Sequence, residues 1–347
     1  LKVVKPPTLS GVETEPICTA DQKETVTVTG TNLMTIDGTG PRVAVGMRAF
    51  RADGVSEACE TVEQDGSAEI RRCTKIRVEL PNGELRAADH PVSVYNPEAI
   101  GGHTTTADVS LTNVGRPRVS HVNPELTCVA EGEQTLTFRG QNFLRVVPDG
   151  MTDTVELPSV AFAQTSVTVT GRQVPNPMDN CTELTVTGSS ATYQICQVLE
   201  VTVESDGSSG LSEATLTNPA PADCANAETV DLEISPTPTV SSANVTPQSS
   251  CNESGYRRIT IGGNHFLRAD GTLPSVTIGS TTYQPLEAND CSPVSGLDRR
   301  QLDYCGELVV YGKTADVQGR RDIAVTNPSP SACASGSKTF DVTANCP

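Results

Sequence analysis

The chain is poor in aromatic side chains: among 347 residues there are six Tyr, six Phe and no Trp. Sheets that bind sugars usually offer flat aromatic faces for the ring to pack on, so candidate platforms are few, with Tyr193, Tyr283 and Tyr304 the best of them. Positive charge is also scarce, 25 Lys and Arg against 42 Asp and Glu, for a formal charge of −17. Such a chain repels DNA, RNA and anionic lipid, because binding them means neutralising phosphate with Lys and Arg. No apolar run approaches the ~20 residues that span a bilayer, so no membrane insertion is expected. There is no CxxC pair and His is limited to His90, His103, His121 and His265, none at a recurring position, which leaves no ligand set for zinc. Ser335, Gly336, Ser337 and Lys338 spell the S-x-x-K of serine–lysine acylating enzymes, but the string precedes a strand instead of opening a helix. No catalytic constellation and no cofactor site follow from these residues.

What the chain has is repetition. ITIGGNHFLRADGTLPSVTIG at 259–279 has counterparts in VTVTGTNLMTIDGTGPRVAVG at 26–46 and in LTFRGQNFLRVVPDG at 136–150, which resumes after a short insertion as LPSVAFA at 157–163. Each copy reads as an alternating strand, a Gly, two residues, a large apolar residue, a polar turn, then Pro and a second strand. Val26 and Val28, Leu136 and Phe138, Ile259 and Ile261 share one face of their strands. Gly30, Gly140 and Gly263 are expected to end the strand at a sharp turn, and Leu33, Phe143 and Phe266 to fold back as plugs over the open end of a β-sandwich.

A second signature opens each unit, PTLSGVETEPIC at 7–18, PRVSHVNPELTC at 117–128 and PTVSSANVTPQSSC at 238–251, and fits an edge strand begun by Pro. A third closes it, PVSVYNP at 91–97, EATLTNP at 213–219 and DIAVTNP at 322–328, followed by a last strand. With short strands between Gly, Pro, Asn and Asp and no sustained helical period, the reading is all-β: three tandem sandwiches over 1–113, 114–235 and 236–347, joined by the short linkers NVGRP and SPTPT.

The G-x-x-[FL] turn after an alternating strand, the opening P-x-[VL]-S and the closing V-x-N-P resemble IPT/TIG domains, the immunoglobulin-like folds shared by plexins, some transcription factors and many secreted bacterial proteins. The resemblance covers nearly the whole chain in three copies, with His265 where the other turns have Asn32 and Asn142 and with an insertion at 146–156 of the second. It implies an immunoglobulin-like fold; the family has no common catalytic or ligand-binding residues to carry over.

Twelve Cys, spread evenly, point to an oxidising compartment, and a start at Leu1 rather than Met fits removal of a targeting segment. Cys59 with Cys73, Cys181 with Cys196 and Cys291 with Cys305 recur at the same place in each unit, fourteen or fifteen positions apart, and are expected to bridge locally. Cys224 and Cys333 each lie five residues after the Pro of the N-P motif; their expected partners are Cys128 and Cys251. Cys18 and Cys346 are then left over, since the position five after Pro97 is Gly102, and an intermolecular bond between Cys346 of one subunit and Cys18 of the next would give a head-to-tail homo-oligomer.

Asp37, Asp149 and Asp270 precede Gly in the loop after each plug residue; each loop offers one or two carboxylates, which favours turn chemistry over a calcium cage. Asn180, Asn244 and Asn252 begin glycosylation sequons. The function expected is structural: a secreted or cell-surface, disulfide-reinforced rod on the order of 100–120 Å, serving as an adhesin or filament component. Its partners would be further copies or other surface proteins. The alternative is an array that binds glycans for a polysaccharide-active protein.

Overall fold

The structure, a computed structural model, describes residues 5–13, 16–20, 23–52, 58–65, 68–100, 102, 109–128, 132–150, 154–163, 167–186, 189–205, 207–245, 255–294 and 301–342. The alternating stretches form six sheets, two facing each other in each of three tandem immunoglobulin-like sandwiches. In the first sandwich one sheet runs Thr8–Val12, Glu24–Ile36, Ala68–Leu80, Cys59–Asp65, and the other Arg48–Arg51, Arg42–Val45, Ala88–Tyr95, Ser110–Asn113. The second is built on Glu133–Val147 and Thr192–Ser205, facing Ser159–Phe162, Gly210–Thr217 and Val230–Ser235; the third on Tyr256–Ala269 and Leu302–Lys313, facing Ser275–Ile278, Gly319–Thr326 and Lys338–Val342.

Period-two patterning places one row of each strand between the sheets. Val26, Val28, Leu136, Phe138, Ile259 and Ile261 are all at most 2% exposed, each contributing about 2 kcal/mol of apolar burial. The three cores are separate and filled mainly by Val, Leu and Ile, which is how so few aromatics suffice.

Gly30, Gly140 and Gly263 do not end their strands. Each central strand continues past its Gly through a bulge, where pairing jumps from Thr29 to Leu33, Arg139 to Phe143 and Gly262 to Phe266. The left-handed residue is the one two positions after the Gly: Asn32, Asn142 and His265 have φ of 55°, 62° and 60°. Asn adopts that region at little cost, which accounts for two of the three. The Gly is required for a different reason. A Cβ there would overlap the first strand's carbonyl oxygen at Thr8, Arg118 or Thr239, and in the last two sandwiches also the ring of Phe143 or Phe266. Leu33, Phe143 and Phe266 are fully buried, held by the bulge against the core.

The bulge breaks the hydrogen-bond ladder, and the closing N-P motif repairs it. Asn96 accepts from the Met34 N–H at 3.0 Å and donates to the Asn32 carbonyl at 3.0 Å. Asn218 does the same for Leu144 and Asn142, both at 3.0 Å, and Asn327 for Leu267 and His265 at 2.9 and 3.1 Å. All three amides are at most 3% exposed. Two motifs some sixty to seventy residues apart are thus one device, in which a buried amide supplies the donor and acceptor that the kinked strand lacks.

Candidate functional site

The first strand of a sandwich begins on one sheet and crosses to the other. In the second sandwich Arg118–Asn123 pairs with Glu133–Val147, and then Leu126–Cys128 runs parallel to the last strand, Val230–Ser235, with Cys128 opposite Ser235. In the first, Ile17 bridges Asn113 in the same parallel sense. A parallel neighbour of the last strand ends where the chain leaves the sandwich, so Cys18 and Cys128 are carried to the pole that faces the next one. Cys224 and Cys333 sit at the opposite pole, beside the bulge and its Asn: Cys224 packs with Leu144, and the Asn142 amide donates to the linker carbonyl of Arg116 at 3.0 Å.

Disulfides consequently cross the junctions. Cys18 bonds Cys224 with Cα atoms 6.0 Å apart, and Cys128 bonds Cys333 at 5.2 Å. The pairings expected from the repeat, Cys128 with Cys224 and Cys251 with Cys333, are corrected: Cys224 and Cys333 are bonded to Cys18 and Cys128, and a bond from Cys128 to Cys224 would join opposite poles of one sandwich, whereas a disulfide needs Cα atoms within about 7 Å. The intermolecular role expected of Cys18 is corrected too, because Cys18 is bonded within the chain and 1% exposed. Cys251 and Cys346 lie outside the described residues. Within the sandwiches the structure joins Cys59 to Cys73, Cys181 to Cys196 and Cys291 to Cys305, each pair directly opposite or adjacent across neighbouring strands with Cα atoms about 4 Å apart. The sequence does hold a signal for the crossing pattern: Cys18 has no counterpart partner in its own unit, and a shift by one unit supplies it.

Each junction has a small apolar core of its own, and the first of these holds its staple. At the first junction Cys18 and Cys224 pack with Val114, Leu144, Val146, Tyr193 and Ala222. Polar contacts fix the surrounding loop: Arg116 Nη2 donates to the Ala20 carbonyl at 2.7 Å, and the Thr19 N–H donates to Asn113 Oδ1 at 3.1 Å. At the second, Leu126 packs with Leu267, Ala269 and Leu302, and Tyr304 closes the cluster. The Tyr304 hydroxyl lies 3.4 Å from both the Glu233 carboxyl and Ser235 Oγ. Glu233 is 3% exposed, and burial pushes its carboxyl up to about 7; burial likewise pushes the Tyr304 hydroxyl up. Arg268 holds Asp303 at 2.8 Å in the same region. The chemistry available at both junctions is mechanical coupling, with the raised carboxyl of Glu233 inside the second.

The remaining candidates are put to structural use. Tyr193 and Tyr304 belong to the junction cores and Tyr283 packs on the third core, so these three are not free platforms. Asp37 and Asp270 spend a carboxylate oxygen on the backbone N–H of Glu69 and Gln301, at 2.8 and 3.2 Å, and among the described residues no three His, Cys, Asp or Glu converge as a metal set. Ser335 Oγ accepts from the Val325 N–H at 2.8 Å and Lys338 lies over the Phe340 ring, so the S-x-x-K string serves a strand pairing. His90 and His121 contact Arg86 and Ser120, His265 stacks edge-on to Tyr304, and His103 lies outside the described residues. Asn180 donates to the Pro175 carbonyl, Asn244 is in an edge strand, and Asn252 is outside the described residues.

Fold and junctions together define a class: tandem immunoglobulin-like sandwiches stapled to one another by disulfides. No family model matches the chain, and no curated protein matches it. Among solved structures it is similar to FdeC, an adhesin of Escherichia coli, at 10% identity over 97% of this chain and 96% of that one, with a TM-score of 0.28. It is similar to a Ca²⁺-stabilized adhesin with which an Antarctic bacterium binds ice, at 13% identity over 99% and 75% of the two chains (TM-score 0.24). A third likeness is to invasin, a bacterial integrin-binding protein, at 10% identity over 97% and 60% (TM-score 0.21).

Proposed function

We propose that the chain is a non-enzymatic segment of a secreted or cell-surface protein, three IPT/TIG-like domains over 1–113, 114–235 and 236–347 locked into a stiff, extension-limited stalk. The observation that carries this is the pair of bridges Cys18–Cys224 and Cys128–Cys333, which tie consecutive sandwiches covalently outside the linkers. Five disulfides among the described residues support an oxidising, extracellular setting. A linker alone leaves neighbouring domains free to move about it. A second covalent tie, with a small apolar core at each junction, removes that freedom.

The bridges also reroute tension. The shortest covalent path from end to end runs to Cys18, across to Cys224, back through the Cys181–Cys196 bridge to Cys128, across to Cys333 and on to residue 347. At about 3.5 Å per residue that path is roughly 400 Å, against about 1,200 Å for the reduced chain. Single-molecule pulling from the two ends tests the reading: the oxidised protein should stop extending near the shorter length and the reduced protein near the longer. Equal extension in both states, with reduction of all bridges verified, would overturn the stalk.

A further inference from the structure

We infer that the outer face of the first sandwich carries a binding site for a carboxylated sugar. The inference is independent of the stalk reading, because it uses none of the residues of the two disulfide bridges or their apolar cores. A groove of about 690 Å³ runs over the sheet formed by Arg48–Arg51, Arg42–Val45 and Ala88–Tyr95. That volume is typical of sites for small ligands.

The three sandwiches provide an internal control. Arg42 pairs directly with Tyr95 across the first sandwich's second sheet. The same positions, marked by the preceding Pro and the following N-P, are Ser159 with Thr217 in the second sandwich and Ser275 with Thr326 in the third. Ser with Thr therefore satisfies the fold twice, and the large cation and aromatic ring of the first sandwich answer to something else. Arg51 lies opposite Arg42 on its other side, so Arg51, Arg42 and Tyr95 form one row across three strands. The pairs next to them, Val43 with Phe50 and Val94, face the core, which sends the row outward. Two residues along, Ala44 and Ala49 give the groove a low floor.

The chemistry of the lining selects the ligand. In a chain of charge −17, Arg42, Arg48 and Arg51 meet in one groove. Arg48 is drawn to Glu84 at 3.3 Å, while among the described residues Arg42 and Arg51 form no ion pair. Guanidinium groups take a carboxylate in paired, planar hydrogen bonds. Tyr95 is 41% exposed in a chain with little aromatic surface, and offers a flat face to the C–H side of a sugar ring. Glu98, also in the lining, is an acceptor for ring hydroxyls. The same Glu98 and the overall charge disfavour a densely charged polyphosphate. One carboxylate per ring, with hydroxyls beside it, matches two guanidinium groups, one aromatic face and one acid.

Calorimetric titration of the intact oxidised chain tests this with a galacturonate hexamer and with sialyllactose, using a neutral galactose tetramer and poly-L-glutamate as the other arms. Saturable one-to-one binding to at least one acidic sugar is expected, with at least tenfold weaker binding to the neutral sugar and to polyglutamate. The double variant Arg42→Ser, Tyr95→Thr carries what the other two sandwiches already have and should fold with an unchanged melting temperature. It should weaken binding at least tenfold, as should Arg51→Ala. Absence of saturable binding to both acidic sugars, or binding that survives the double variant, overturns the inference. Equal or tighter binding to polyglutamate overturns it in favour of an acidic polypeptide.

Discussion

Replacing Asn218 by Ala tests the strand repair most sharply. The side chain is 1% exposed and makes two hydrogen bonds, accepting from Leu144 N–H and donating to the Asn142 carbonyl, both at 3.0 Å. Truncation leaves one buried donor and one buried acceptor unpaired, at about 1–3 kcal/mol each. The expected loss is therefore about 2–6 kcal/mol, with the lower end applying if a water enters the space the amide vacates. Three coupled sandwiches do not promise a single two-state transition, so the assay is local. Hydrogen exchange followed by mass spectrometry on peptides spanning Leu144 should accelerate by about 30-fold to about 20,000-fold, at tenfold per 1.4 kcal/mol. Peptides spanning Leu267, whose N–H is held by Asn327 of the third sandwich, should be unchanged. A change at Leu144 of less than about fivefold, or below 1 kcal/mol, would falsify the claim that the amide completes the ladder.

Two further outcomes follow from named contacts. Phe266→Ala empties a fully buried position in the third core and should cost about 3–5 kcal/mol in that sandwich, read by the same exchange method; a loss below 1 kcal/mol would show that the bulge does not depend on its ring. Folding raises the Glu233 carboxyl from an ordinary value of 4.5 to about 7, so the folded chain holds that proton more tightly. Its contribution is complete below pH 4.5 and is lost as pH rises through 7, by about 3 kcal/mol. Glu233→Gln should match the parent protein in thermal unfolding at pH 4 and exceed it at pH 8; an equal difference at both pH values would place the carboxyl in water.

The architecture was legible because burial in a sandwich is written at period two, and three copies put Val26, Leu136 and Ile259 in register. Plug burial was legible for the same reason, since a large apolar side chain at Leu33, Phe143 and Phe266 recurs within polar surroundings. The purpose of the glycine was not. Its close neighbour is the carbonyl of Thr8, Arg118 or Thr239, some twenty residues away, and strand pairing has to be known before that overlap can be seen. Nor was the link between the bulge and Asn96, Asn218 or Asn327 visible, although both motifs stood out separately. The cysteine pairing failed on geometry. Recurrence within a unit favoured Cys128 with Cys224, but the parallel run beside the last strand sends Cys128 to the exit pole, and only the path of the chain reveals that. The significance of Arg42 and Tyr95 lies in the contrast with Ser159, Thr217, Ser275 and Thr326, which depends on knowing that each pair is opposite.

The stapled junction is the centre of the account, and peptide mapping without reductant tests it most directly. Digestion of the oxidised protein with thiols blocked, followed by mass spectrometry, should yield one cross-linked pair containing Cys18 and Cys224 and another containing Cys128 and Cys333. A cross-linked pair containing Cys128 and Cys224 would contradict it, because that bond keeps each sandwich covalently to itself and leaves the junctions to their linkers.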